Sequence, residues 1–227
     1  MKKRIIFFSS FLLSLASISL YAVNAETIYD DKRFYITSGT VSMEIPLREL
    51  SEVLSRFQGY RDWALKGIDG KDPRSRKFIG IMSDLIYEEE NHKFVMVVDI
   101  NLFWPFGSKG NKIYFDIITH YSSSGLLDMI EFNLSKATIL VSRATLRLEL
   151  YDNLTESRVN FQSKIKIAWF IDMFYTLKGF KKNFEVRIIC IMRNLRELFG
   201  VQKEKQGRMK FRNKMEPSDK DKLKKRM

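Results

Sequence analysis

Asp116 and His120 stand four residues apart in the β-prone run IYFDIITHY, so both project from one strand face, where a carboxylate can orient an imidazole for proton transfer. Their alternate neighbours Tyr114 and Ile118 supply no nucleophile, and the pair is expected to face solvent. Ser163 and Lys166 spell Ser-x-x-Lys, the pattern of penicillin-recognising enzymes, but that chemistry needs both side chains on one helix face. The run around them alternates with period two, which sends them to opposite faces and excludes it. His92 follows an acidic turn and has no partner pattern. Cys190 is the sole cysteine, inside the apolar run Ile188 to Met192, where a small buried hydrophobe is expected rather than a reactive thiol. One cysteine excludes an intramolecular disulfide. The sequence contains no HExxH, no paired-cysteine metal spacing, no glycine-rich phosphate loop and no Gly-x-Ser-x-Gly elbow. No catalytic residue, no metal site and no cofactor is therefore expected.

The elements that would position a site are legible from periodicity. RFYITSGTVSME, residues 33 to 44, is rich in β-branched and aromatic residues and predicts a strand, ended by Pro46. Leu47, Leu50, Val53, Leu54 and Phe57 then recur at helical spacing, with Pro46 suited to the helix start and Gly59 to its stop. Tyr60 to Lys66 predicts a second short helical turn carrying Trp63. Strand-like runs follow over 78–87, 93–104 and 113–121, separated by polar or glycine-containing turns, as in an antiparallel meander. Ala144, Leu146, Leu148 and Leu150 alternate with Arg143, Arg147 and Glu149. Val159, Phe161, Ile165, Ile167 and Trp169 alternate with basic and amide residues, so the two runs predict a half-buried hairpin turning at Asp152-Asn153. Its apolar face needs a cover. The cover is a final helix whose stripe is Phe184, Ile188, Ile191, Met192, Leu195, Leu198 and Phe199, with Gly200 as its terminator.

The two ends read differently from the middle. Lys2, Lys3 and Arg4 precede an uncharged apolar stretch from Ile5 to Val23, the layout of a secretory signal. Cleavage is expected after Ala25, giving a periplasmic or secreted protein; an uncleaved anchor is the competing reading, since the stretch just spans roughly 30 Å of bilayer. Residues 201 to 227 hold eleven Lys/Arg against four Asp/Glu, so with the three amino-terminal cations they account for all but about +2 of the formal net charge of +12. The chain therefore divides into a signal at 1–25, one domain at 26–200 of a size that can bury a core, and a basic tail at 201–227 expected to be disordered.

The order of strand, two short helices, antiparallel strands and a long carboxy-terminal helix resembles the START-like helix-grip superfamily, which includes the polyketide cyclase and dehydrase-like proteins. VSMEIPLRELSEVLSRFQGYRDW, residues 41 to 63, carries the likeness most clearly, and the resemblance covers Arg33 to Gly200. It implies an α+β fold in which a curved antiparallel sheet wraps the last helix and leaves an apolar cavity between them. It further implies a bound lipid or other hydrophobic small molecule, with a cyclase-type enzyme or an envelope interaction protein with a full interior as alternatives. The expected lining is Leu146, Leu148, Phe161, Ile165, Trp169, Ile188 and Met192, each of which an ordinary core also requires. Ser163 interrupts that inward face and can orient a polar head group.

Two further surfaces have membrane chemistry. Phe103-Trp104-Pro105-Phe106 places aromatics at a turn, where Trp104 and Phe106 gate a pocket or meet a membrane interface, or simply pack a hairpin end. In the tail, Lys210, Arg212, Lys222, Lys224, Lys225 and Arg226 suit an anionic membrane surface better than nucleic acid once export is assumed.

Overall fold

The computed structural model describes residues 23–71, 80–100, 107–153, 156–173 and 176–214. Trp104, Phe106, Lys222, Lys224, Lys225 and Arg226 lie outside them, as do residues 1–22 of the expected signal.

Alternation decides the sheet. Strand β2 (Tyr35–Met43) buries Tyr35, Thr37, Val41 and Met43, and β8 (Glu156–Ile167) buries Ser157, Val159, Phe161 and Ser163, each at period two. Their partners are β1 (Asn24–Tyr29), β3 (Gly80–Glu88), β4 (Lys93–Ile100), β5 (Ser108–Tyr121), β6 (Leu127–Leu134) and β7 (Val141–Asn153). All eight pair antiparallel in the order β1-β2-β8-β7-β6-β5-β4-β3. Register shifts at Met82/Asp84, Val98/Ile100, His120/Tyr121 and Val141/Arg143 break the ladder. Such irregularities bend and over-twist a sheet, which makes one face concave.

Helices fill the concave side. Pro46 caps α1 (Leu47–Ser55), whose Leu50 and Leu54 are one turn apart and wholly buried. The Ser51 hydroxyl accepts from the Leu127 amide at 2.9 Å, fixing α1 to β6. A 3₁₀ turn (Phe57–Gly59) leads into α2 (Tyr60–Ala64), where Tyr60 donates to the Leu54 carbonyl at 2.7 Å. After β8 come α3 (Trp169–Asp172), α4 (Leu177–Phe180), a π-turn (Lys181–Glu185) and α5 (Val186–Lys214). Ile188, Met192, Leu195 and Phe199 recur along one face of α5 and are buried against the sheet and α2. Each such side chain contributes on the order of 1.5–3 kcal/mol of hydrophobic stabilisation. The α+β helix-grip arrangement implied by the sequence is the one observed.

Three expectations are corrected. Gly200 does not end the last helix, which runs on to Lys214, so 201–214 is helical rather than disordered and carries Lys210 and Arg212. A lone exposed glycine costs a helix about 1 kcal/mol, and the Gln, Lys and Glu residues from 202 to 206 are strong enough helix formers to continue through it. An additional strand, β1, precedes the predicted first one and opens at Asn24, so a cut after Ala25 falls inside it. Finally, β8 ends at Ile167: Trp169 does not continue its inward face but opens α3 with 69% of its surface exposed.

Candidate functional site

The space between sheet and α5 is filled at its centre. Leu148, Phe161, Val159, Met192 and Leu195 are each at most 2% exposed and belong to one contiguous cluster with α1 and α2. A void wide enough for a water molecule would leave exposed surface on its walls, so none borders these side chains. Phe57, Tyr60, Phe94 and Phe132 continue the packing as an aromatic network, with ring centroids 5.2–6.3 Å apart. Of the expected cavity lining, Leu148, Phe161, Ile188 and Met192 are core, for the reason any domain of this size needs them.

Toward the amino-terminal foot of α5 the packing changes. A second cluster (Leu65, Ile68, Met82, Val98, Ile100, Ile113) is joined to the first through partly buried Leu85, Phe115 and Ile191, and a third (Tyr35, Ile167, Phe180) is separate from both. The inward residues Ala144, Leu146 and Ile165 are only partly buried, Leu146 packing against the first cluster and Ile165 against the third. β7 is an interior strand flanked by β6 and β8, and Leu146 lies on its inward face with Leu148 and Leu150. Ser163 lies directly across from Leu146 and is itself buried.

A polar row crosses the same level of the sheet. Thr27, Thr37 and Ser163 are successive cross-strand neighbours on β1, β2 and β8, all buried. The Thr27 hydroxyl donates to the carboxylate of Glu185, on the π-turn. A hydroxyl has one proton to give, so the 2.8 Å contact between Thr27 and Thr37 has Thr37 as donor. The π-turn is held from within by Asn183, which donates to the Gly179 carbonyl at 2.8 Å. Single π-turns inside helices recur at functional sites because they aim side chains a regular helix would turn elsewhere. Buried Arg187, one residue into α5, donates to the Gly80 carbonyl and lies 5.6 Å from the centre of the Phe184 ring. Tyr35 stacks on Phe180 at 4.2 Å, and Phe180 on Phe184 at 4.9 Å. The arrangement sets the Ser163 hydroxyl and the Glu185 carboxylate close to partly exposed aliphatic surface, where a hydrogen-bonding head can be met next to an apolar body.

Sequence reasoning found Leu146, Ser163 and Ile165 in this place and missed Thr27, Thr37 and Glu185. Thr37 sits on the predicted strand at the same period as Tyr35 and Val41, a signal available but unused. Thr27 is visible only once β1 is known. Glu185 follows the polar stretch Lys181-Lys182-Asn183 with only Phe184 between, and gains meaning only from the π-turn.

The remaining residues weighed for chemistry are placed as follows. Asp116 and His120 share the outer face of β5 but stand about 13 Å apart along it, too far to bond. Asp116 instead pairs with Lys93 at 3.1 Å, and the Ser135 hydroxyl, then Lys93, hold its carboxyl below the usual range. His92 bonds the Tyr87 hydroxyl at 2.8 Å in the β3–β4 turn. Cys190 is half-buried against the second cluster rather than fully enclosed. Lys166 lies over the Phe34 ring, on the face opposite Ser163. Two open clefts of about 550 and 360 Å³ lie outside the grip, lined by mixed charges including Lys66, Asp69, Lys71 and Glu197, or Arg61 and Asp62. Among the described residues no group of His, Cys, Asp and Glu can hold a metal ion, and no helix is long and apolar enough to cross a membrane.

No family model and no curated protein matches the sequence. Among solved structures the chain is similar to a conserved protein from Geobacillus kaustophilus, with TM-score 0.50 and 9% identity over 73% of this chain and 95% of that one. It is also similar to a START superfamily protein from Mycobacterium smegmatis (TM-score 0.44, 12% identity, 71% of this chain and 94% of that one). A third is the Zhui aromatase/cyclase from Streptomyces sp. R1128 (TM-score 0.46, 11% identity, 73% and 93%). At such identities the likeness is one of fold.

Proposed function

From the helix-grip fold, we propose that this protein binds a small amphiphilic molecule at the foot of α5. The apolar body rests on Leu146 and Ile165, and the polar head meets the Ser163 hydroxyl and the Glu185 carboxylate. The supporting observation is the half-burial of Leu146, an inward leucine on an interior strand, beside a row of buried hydroxyls. An aliphatic side chain in that position costs stability unless something covers it, at about 25 cal/mol for each Å² left wet.

The packed centre favours a second reading, in which the interior is full and the domain serves as an interaction protein. Native mass spectrometry of protein purified from its source without detergent separates the two. A non-covalent small-molecule adduct, absent from Leu146→Trp of unchanged melting temperature, supports binding. A bare polypeptide that also fails to take up a fluorescent fatty acid removes it.

Export is proposed on the Lys2-Lys3-Arg4 and Ile5 to Val23 pattern. A cut after Ala25 still leaves Glu26 to Tyr29 of β1 paired with β2. The intact mass of protein from the native envelope tests it, and a product retaining residues 1–25 contradicts the cleavage.

A further inference from the structure

The largest exposed apolar side chains near one end of the sheet gather around α3. Trp169 and Met173 are 69% and 65% exposed and lie one turn apart. The Ala168 amide donates to the Leu140 carbonyl at 3.0 Å, which brings the β6–β7 turn alongside with Ile139, 56% exposed. Tyr35 holds α3 and α4 side by side: its hydroxyl donates to Asp172 at 3.2 Å and its ring stacks on Phe180. Leu177, on α4, is exposed as well.

Charge around this patch is sorted by sign. Lys136, in the turn that carries Ile139, and Lys178 and Lys182, on α4 and the π-turn, are exposed. The acids of the same segment face the sheet: Asp172 accepts from Tyr29 at 2.8 Å and from Tyr35, and Glu185 accepts from Thr27. The segment thus presents exposed apolar side chains flanked by three exposed lysines, while its own two acids are hydrogen-bonded to the sheet.

We infer that this face docks on an anionic lipid surface, with Trp169, Met173 and Ile139 entering the interface and the lysines meeting head groups. Indole rings settle at the level of the head groups, and each lysine near the surface adds electrostatic attraction. A second copy is the poorer occupant, because a two-fold contact would set Lys178 and Lys182 against their own kind. The docking is independent of the ligand proposed above and uses a surface other than the carboxy-terminal tail.

The test is tryptophan quenching by phosphatidylglycerol vesicles whose acyl chains are brominated, using the full chain. Emission is expected to be quenched, the quenching to vanish in Trp169→Phe, and Lys178→Glu/Lys182→Glu to weaken it at least about thirtyfold, as loss of two surface cations implies. Neutralising Lys222, Lys224, Lys225 and Arg226 to Gln is expected to leave the Trp169 signal in place. Vesicle association without Trp169 quenching, equal quenching on phosphatidylcholine, or no association overturns the inference. So does a concentration-dependent dimer that buries Trp169 without lipid, which would assign the face to a second copy.

Discussion

The Thr27 hydroxyl, on the edge strand, donates to the Glu185 carboxylate on the π-turn, 158 residues away in sequence. Through it the outermost strand and the foot of the last helix are held to one polar row. Thr27→Val removes the donor to a charged acceptor and strands the Thr37 hydroxyl, and is expected to cost about 1.5–3 kcal/mol in urea denaturation. Thr27→Ser should retain most of the stability. A loss below about 0.5 kcal/mol for the valine variant would show that the contact does not hold these elements together.

Phe161, on β8, and Met192, on α5, belong to one buried cluster. Phe161→Ala is expected to destabilise by about 3–5 kcal/mol and Met192→Ala by about 2–5 kcal/mol, both read by chemical denaturation. Values under about 1 kcal/mol would mean that the centre of the grip is looser than its burial indicates.

Tyr60 is enclosed, and burial pushes its phenol well above the usual tyrosine range. The folded chain therefore holds this proton more tightly than the unfolded chain does. The contribution is complete below the unfolded pKa of about 10 and is lost as pH rises through the folded value. Stability is expected to decline above about pH 10, and Tyr60→Phe to decline less, after a loss of about 1 kcal/mol at neutral pH from the missing bond to the Leu54 carbonyl. Parallel pH profiles for the two proteins would contradict this.

Arg33 closes the β1–β2 turn at φ 61°, where a side chain is strained and glycine is not. Arg33→Gly is expected to stabilise the fold by about 0.5–1 kcal/mol in thermal or urea unfolding. A destabilised variant would indicate that the arginine side chain contributes contacts worth more than the strain.

Much of this architecture is written in local periodicity. The β7–β8 hairpin follows from the alternation of Leu146, Leu148, Val159 and Phe161, and α1 from Pro46 with Leu50 and Leu54, because burial on one face leaves a period that sequence retains. What was illegible depends on partners distant in the chain. β1 abuts a signal-like stretch, and only its pairing with β2 makes Asn24 to Tyr29 a strand. The helix passes Gly200 because propensity beyond it outweighs one glycine. In the same way, packing density decides whether inward leucines are core or lining: Leu146 and Leu148 are indistinguishable in sequence and differ in the structure by what lies above them. The polar row joins Thr27, Thr37, Ser163 and Glu185 from three strands and a π-turn, and no local pattern announces it.

Photolabelling with a diazirine-bearing fatty acid, followed by peptide mass mapping, tests the ligand site most directly. The account predicts label on the segments around Leu146 and Ile165 and near Glu185, competed by unlabelled amphiphile and lost in Leu146→Trp. Label confined to the exposed face around Trp169, or spread without competition, would contradict a ligand held beneath the foot of α5.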